Sequence, residues 1–143
     1  MIFTEKPEGF VAEFRAVGCY IESAGDTLLL LRNKAKKLEP AKWGSPAGKI
    51  AQGETVESAM IREIFEETGL KVSGSQLKSV GKVFVVYEEY SFEFEMFKLS
   101  FPYKPEIRLS SEHVALAWVP PKYASSLDLV QDELEAIEIV YRL

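Results

Sequence analysis

The sequence has little cysteine and no long apolar run, and each absence excludes a class of protein. A single cysteine, Cys19, cannot form an intrachain disulfide, which is typical of a reducing compartment. No apolar stretch approaches the roughly 20 residues of a membrane span, and residues 1–13 lack the apolar block of a signal peptide. We therefore expect a cytoplasmic protein without membrane segments.

Positive charge is also scarce. Lysine and arginine number 17 against 22 aspartate and glutamate residues, which gives a net charge of −5. Such a chain has no general affinity for nucleic acid or an anionic membrane, so a phosphorylated ligand would need a metal ion or a local basic patch. The composition shows no linker, and the length suits one domain over residues 1–143. The sequence leaves the oligomeric state open.

Residue patterns predict strands, a helix, further strands and a second helix. The strands are predicted over 10–22, 27–32, 80–87, 91–101 and 114–119, and the helices over 55–68 and 128–141. The first two strands should form a hairpin around Ala24–Asp26, and Asp128 is the predicted N-cap of the second helix. Residues 43–53 should be a loop with at most a short strand at 48–50. This order favours an α/β or α+β sandwich with a mixed β-sheet between helices.

The first predicted helix has three glutamates on one side. On a helical wheel, Glu63, Glu66 and Glu67 share a sector about 100° wide. Like charges four residues apart repel, and a helix C-terminus disfavours anions. Two interpretations remain open: a solvated acidic face, or a site for Mg²⁺ or Mn²⁺, which prefer oxygen ligands. The neighbouring arc of the wheel is expected to face the core and contains Met60, Ile61, Ile64, Phe65 and Thr68.

The spacing around these glutamates resembles the signature of the Nudix hydrolases. Gly48 is followed by five residues and Glu54, and seven more residues lead to the segment REIFEETGL at 62–70. All seven fixed residues of that signature, and both of its apolar positions, are present. The resemblance implies an αβα sandwich and a hydrolase that cleaves a nucleoside diphosphate linked to another group.

The resemblance also implies roles for the charged residues of this segment. Glu63, Glu66 and Glu67 would bind Mg²⁺ or Mn²⁺, and Glu63 is the candidate base for the attacking water. Arg62 would orient Glu63, and Glu54 would brace the loop against Arg62.

Further metal contacts implied by the resemblance lie outside the helix. The carbonyl of Ala47 would be a ligand, and Gly48 would permit a tight turn there. Glu112, six residues before Trp118, would add a carboxylate. Ala51 stands where many relatives have a glutamate, so one outer metal contact is missing.

Several other residues are candidates for substrate contacts. Arg32 is a candidate phosphate clamp, whereas the lysines within 34–37 are expected in a solvated loop. Trp43 and Tyr87 are candidates for stacking on a base, although aromatics at strand spacing are also typical of a core. His113, the single histidine, is expected at the surface.

The candidate substrate is a small-molecule nucleotide. The sequence lacks the proline that follows the signature in typical ADP-ribose hydrolases, and the arginine motif of coenzyme A hydrolases. A nucleoside triphosphate or a dinucleoside polyphosphate is therefore the leading prediction. The alternatives are a Nudix-fold module that binds a nucleotide without cleaving it and, as a third interpretation, a metal-dependent isomerase. The complete set of signature carboxylates argues against the binding module.

Overall fold

The computed structural model describes residues 1–143 and contains an eight-stranded mixed sheet with two α-helices. The strands are β1 Ile2–Phe3, β2 Phe14–Ser23, β3 Asp26–Arg32, β4 Trp43–Gly44, β5 Ala47–Lys49, β6 Lys78–Val86, β7 Ser91–Ser100 and β8 His113–Val119. The helices are α1 Val56–Thr68 and α2 Glu133–Tyr141, with 3₁₀ turns at Gly74–Gln76 and Pro121–Ser126. Neither α-helix is long and apolar enough to cross a membrane.

Strand β2 lies at the centre of the sheet. It pairs in parallel with β7 along residues 14–22, whereas every other strand pair is antiparallel. Its other edge holds β5 at residues 16–18 and β3 at residues 22–23. The β2–β3 hairpin confirms the prediction, and its turn has positive φ at Ala24 and Gly25. Pairing with β5 fixes the segment that leads into α1.

The core occupies both faces of the sheet. Successive strand residues point to opposite faces, so Cys19 and Ile21 pack beneath α1 while Tyr20 packs beneath α2. In β3, Leu28 and Leu30 join the α1 side in the same alternation. The predicted mixed sheet between helices is confirmed, because each helix covers one of the two apolar clusters.

The ends of two predicted elements were wrong. Strand β2 begins at Phe14 rather than at residue 10. Helix α2 begins at Glu133, and Asp128 does not cap it. Instead, the Asp128 carbonyl accepts from the Trp43 amide at 2.8 Å, and the Trp43 carbonyl accepts from the Val130 amide at 2.8 Å. Residues 128–130 therefore extend the sheet at β4 before α2 can start, which the local pattern did not indicate.

Helix α1 confirms its predicted limits. The Thr55 side chain accepts from the Ser58 amide at 3.0 Å, and the Ser58 side chain accepts from the Thr55 amide at 3.0 Å. Gly69 ends the helix in the left-handed region at φ 76° and donates its amide to the Phe65 carbonyl. Both ends follow from local sequence.

The core-facing side of α1 differs from the prediction. Phe65 is 49% exposed, whereas Ala59 and Glu67 are buried with the predicted Met60 and Ile64. The buried face is rotated toward the carboxylates, because the Glu67 side chain points inward to the segment before β5. The predicted core-facing arc was therefore wrong at Phe65, and of the two open interpretations of the acidic sector a purely solvated face does not hold for Glu67.

Candidate active site

Arg62 is held by a fork of charged hydrogen bonds. Its Nε and Nη2 donate to the two carboxylate oxygens of Glu54 at 2.7 and 2.8 Å. Nη2 also donates to the Lys49 carbonyl at 3.0 Å, which ties α1 to the end of β5. Hydrogen bonds from Arg62 lower the pKa of Glu54 to about 2, so that carboxylate stays charged. A bidentate guanidinium–carboxylate pair fixes direction as well as distance.

The same guanidinium positions Glu63. Arg62 Nη1 donates to Glu63 Oε1 at 2.8 Å, and the Glu63 carboxyl group lies against the backbone of Gly48. A Cβ atom placed on Gly48 would lie only 2.1 Å from the Glu63 carboxyl carbon. Gly48 is in β5 and does not have positive φ, so the expected tight turn was wrong. The glycine is needed here for the close approach of a carboxylate.

Glu67 is a buried carboxyl group, only 4% exposed. Its Oε2 accepts from the Ala47 amide at 3.1 Å, and its Oε1 is 3.7 Å from His113 Nε2. Burial, followed by the nearby charge of Glu63, raises the pKa of Glu67 to about 9. Near neutral pH, without a bound cation, Glu67 therefore holds a proton.

Glu63 and Glu67 act on each other electrostatically, because the charge of Glu63 adds to burial in raising the pKa of Glu67. Burial raises the pKa of Glu63 as well. Glu66 does not join them: it is 54% exposed and lies 3.3 Å from Arg62. No three His, Cys, Asp or Glu side chains converge on one point, so the structure brings together two of the three predicted metal-binding glutamates.

Glu112 lies immediately before β8, close enough to Glu67 for its charge to act there. Its charge contributes to the raised pKa of Glu67, although its side chain forms an ion pair with Lys36 at 2.9 Å. The Glu112 carbonyl accepts from the Asn33 amide at 2.8 Å, which joins the loop after β3 to the residues before β8. Lys36 makes this ion pair from a partly exposed position, whereas Lys34 and Lys37 are exposed, as expected for a solvated loop.

His113 is buried, so its expected surface position was wrong. It is 8% exposed, and its Nδ1 has no hydrogen-bond partner. Burial is the main reason that the pKa of His113 is lowered, which keeps the imidazole neutral. As the first residue of β8, His113 is pointed inward by strand alternation, opposite Arg32 of β3.

A cavity of about 690 Å³ opens next to Ala47, Glu67 and His113. Arg32 lines it and is held rigidly, because its Nε and Nη2 donate to the Leu38 carbonyl at 3.2 and 2.9 Å. Tyr87 also lines it. Trp43 does not line the cavity and packs instead against the apolar cluster beneath α2.

Sequence reasoning missed the far part of this cavity. Tyr90, Asp132 and Glu133 line it, and the buried Glu133 carboxylate accepts from the Ser45 amide through Oε1. Burial raises the pKa of Glu133. These residues belong to no motif with fixed spacing. The sequence did not predict that Glu133 is buried, because the helix was expected to start at Asp128.

A comparison with known families decides the assignment of this site. The sequence model of the NUDIX domain matches residues 12–139, which is most of the chain. The chain belongs to the Nudix family. The resemblance inferred from Gly48 to Leu70 is therefore confirmed, and the site described above coincides with the Nudix signature.

Individual relatives of this Nudix chain match over shorter segments. The Nudix hydrolase YvcI of Bacillus subtilis (strain 168) is 36% identical over 66 residues, which cover 46% of this chain and 39% of that protein. An RNA pyrophosphohydrolase of Blochmanniella floridana is 39% identical over 54 residues, or 38% of this chain and 34% of that protein. The chain thus spans less than half the length of these curated relatives.

Similarity to solved structures extends over nearly the whole fold. The crystal structure of the MutT protein from Methanosarcina mazei Go1 superposes with a TM-score of 0.75 and 23% identity. The match covers 90% of this chain and 91% of that one. At this identity the likeness establishes the Nudix fold and no more.

Proposed function

We propose that this Nudix chain is a Mg²⁺- or Mn²⁺-dependent pyrophosphohydrolase. It cleaves a nucleoside diphosphate linked to another group, with a nucleoside triphosphate or dinucleoside polyphosphate as the leading substrate class. The observation that supports this most directly is the pairing of the buried Glu67 carboxyl group with the partly buried Glu63 beside a nucleotide-sized cavity. Such a pair is unfavourable unless a proton or a cation neutralises it.

The chemistry of the donor groups suits a hard divalent cation. The Glu63 carboxyl group occupies the space next to the Gly48 backbone, which any side chain at position 48 would block. The Glu67 carboxyl group and the Ala47 backbone lie together at the same place. Carboxylate and carbonyl oxygens are the ligands that Mg²⁺ prefers, and substrate phosphates and waters complete its six positions. Glu66 and Glu112 would join after leaving Arg62 and Lys36.

The roles of the protein groups follow from their contacts. A bound cation would neutralise phosphate oxygens and lower the pKa of an attacking water. Glu63 is directed by Arg62 and accepts the proton of that water. Glu54 keeps Arg62 charged and immobile. Arg32, fixed by the Leu38 carbonyl, directs its guanidinium at the substrate phosphates.

The cavity fits a nucleotide in size and lining. Its volume of about 690 Å³ lies within the ordinary range for small-molecule sites, roughly 300–1,000 Å³. The Arg32 end suits phosphate groups, and the Tyr87 end offers an aromatic face for a base. This division agrees with a substrate that has a charged phosphate chain at one end only.

The test is hydrolysis of a substrate panel by the purified protein with Mg²⁺. The panel contains nucleoside triphosphates, diadenosine polyphosphates, nucleotide sugars and ADP-ribose. We expect release of a nucleoside phosphate from at least one of the first two classes, and no release when Mg²⁺ is chelated. If one compound binds but none is cleaved, the chain is instead a nucleotide-binding module.

Two broader predictions from sequence remain proposals. A cytoplasmic location rests on the single buried cysteine, Cys19, whose pKa is raised by burial and whose thiol packs in the core. One domain over residues 1–143 rests on chain length and composition.

A further inference from the structure

The cavity has two ends of different chemical character. The first is the phosphate end, formed by Arg32, Ala47, Glu67 and His113. The second is formed by aromatic rings and carboxylates, and we name it the acidic end. The acidic end contains Glu39, Tyr87, Glu88, Glu89, Tyr90, Phe92, Asp132 and Glu133. The backbone of Ser45 joins the two ends, because Ser45 contacts Glu133 and lies two residues before Ala47.

The carboxylates of the acidic end line the same part of the cavity as Tyr87 and Tyr90. Burial and then Asp132 are the main reasons that the pKa of Tyr87 is raised, with Glu39 adding to the effect. Burial, Glu39 and Glu89 raise the pKa of Tyr90 in the same way. The charges of Glu39, Glu89 and Asp132 therefore reach the same part of the cavity.

Little positive charge offsets these carboxylates. The Met1 ammonium group lies 3.1 Å from Asp132 Oδ2, and no lysine or arginine forms an ion pair with any of the five acids. A phosphate placed here would meet repulsion in a partly desolvated site, where charge interactions are stronger than in water.

Glu133 shows that the acidic end is a built site rather than a solvated surface. Its side chain is more than nine-tenths buried, yet it lines the cavity. The Ser45 amide donates to Oε1 of this carboxyl group, and the Ser45 side chain lies beside it as well. A carboxylate can accept about four hydrogen bonds, so the cavity side retains acceptor capacity. A buried acceptor of this kind favours a ligand that supplies hydrogen-bond donors.

Flat, donor-bearing and uncharged groups match this end of the cavity. Tyr87, Tyr90 and Phe92 pack against one another and line this end, and an aromatic wall of this kind suits a nucleobase. Guanine, adenine and cytosine carry exocyclic amino groups that donate hydrogen bonds, whereas uracil has a carbonyl oxygen where cytosine has its amino group. Hypoxanthine is guanine without its amino group.

We infer that the acidic end receives an amino-bearing nucleobase of a mononucleotide and rejects a second phosphorylated unit, such as the next nucleotide of an RNA chain. The inference rests on the proposed function, because it uses the same cavity. Of the two proposed substrates, it favours the nucleoside triphosphate over the dinucleoside polyphosphate. The similarity to RNA pyrophosphohydrolases does not oppose it, since the Blochmanniella match covers 38% of this chain.

The experiment measures binding, so it does not depend on cleavage. Titration calorimetry of the full chain with Mg²⁺ compares GMP with IMP and CMP with UMP, pairs that differ at an amino position. A 5′-phosphorylated dinucleotide with the same first base is the third ligand. We expect an amino-bearing member of at least one pair to bind about tenfold more tightly than its partner, as for one buried hydrogen bond. The dinucleotide should bind at least about tenfold more weakly than its mononucleotide.

Two variants separate the role of Glu133 from a general loss of charge. Glu133→Gln should reduce the preference for the amino-bearing nucleotide, because an amide offers one acceptor oxygen in place of two. Glu135→Gln removes the same charge from an exposed position of α2 and should leave the preference unchanged.

The outcomes distinguish this inference from the proposed function. Equal binding within both pairs, tighter binding of the dinucleotide, a preference that survives Glu133→Gln, or no binding of any ligand would overturn the inference. Amino-selective binding without hydrolysis in the substrate panel would support the inference while refuting the proposed activity.

Discussion

Arg62 organises the candidate site through one side chain. Its guanidinium contacts three carboxylates, of Glu54, Glu63 and Glu66, and one backbone carbonyl. A lysine has a single ammonium group and cannot reproduce this planar fork. Because Glu63 receives both its direction and part of its charge stabilisation from Arg62, the two residues should act as one unit.

The variant Glu63→Gln tests the proposed base. Glutamine keeps the shape and can still contact Arg62, but it cannot accept the proton of an attacking water at neutral pH. We expect turnover to fall by roughly 10²–10⁴-fold with an unchanged circular dichroism spectrum. Glu57→Gln, at an exposed position of the same helix, should keep full turnover. Retained activity in Glu63→Gln would remove this residue from the reaction.

The buried Glu67 predicts how stability depends on pH. Its folded-state pKa of about 9 lies above its ordinary value of 4.5. As pH rises from 4.5 toward 9, the unfolded chain releases the proton and the folded chain keeps it, so the metal-free protein loses stability. The loss is complete only above the folded pKa. Thermal unfolding from pH 5 to pH 9 should therefore show a falling Tm without metal.

A neutral variant provides the control for that pH dependence. Glu67→Gln removes the titrating group, so its metal-free stability should exceed that of the wild type by about 1–3 kcal/mol near pH 9. It should also lose most of the stabilisation that Mg²⁺ gives to the wild type. An identical pH profile of the two proteins would show that Glu67 is not the buried acid described here.

Single residues explain why some predictions from sequence were wrong. The signature predicted Glu54, Arg62 and Glu63 as a contact group, because fixed spacing in one loop and one helix keeps them together. His113 and Glu133 have no such local constraint. Their burial depends on strand alternation in β8 and on where α2 starts, and both are set by tertiary pairing.

At the scale of elements, the important contact is between β5 and α1. Strand β5 pairs with β2, and this pairing places Gly48 directly beneath the Glu63 carboxyl group. The capping box at Thr55 and Ser58 fixes the start of the helix, and Gly69 fixes its end. The caps fix the limits of α1, and the close approach of Glu63 to Gly48 determines which side of the helix faces β5.

The variant Gly48→Ala tests this contact. The added methyl group would overlap the Glu63 carboxyl group, so the side chain or β5 must move. We expect a loss of roughly 1–3 kcal/mol in the free energy of unfolding, as for an overpacked site. Turnover should fall at least about 10²-fold because Glu63 is displaced. Gln52→Ala, an exposed change in the same loop, should alter neither quantity; if Gly48→Ala is equally silent, the close packing is wrong.

The limits of an element were predictable where nearby residues set them, and were not predictable where pairing with a residue far away in the chain sets them. Thr55 and Gly69 mark α1 in the sequence itself. The start of α2 is delayed by the bridge between Trp43 and Leu129, which are far apart in the chain. Strands β1 and β4 have two residues each, too few to show any periodicity.

At the scale of the whole molecule, the sheet separates two apolar clusters and the cavity lies on the α2 side. Its walls come from β6, β7 and the turn between them, α2, the N-terminal residues and the loops after β3 and β4, with single residues of β3, β5, α1 and β8 at the phosphate end. The signature residues come from the α1 side and reach the cavity through Glu67. This division places the signature residues apart from the acidic end, whose lining comes mainly from the second half of the chain.

Calorimetric titration with Mn²⁺, in the presence of a nonhydrolysable nucleoside triphosphate analogue, measures directly whether the carboxyl groups of Glu63 and Glu67 bind a cation. The wild type should take up Mn²⁺, release protons from Glu67 as it does so, and lose at least about tenfold in affinity in the double variant Glu63→Gln, Glu67→Gln. Absence of Mn²⁺ uptake by the wild type, or the same affinity in the double variant, would contradict the proposed metal site.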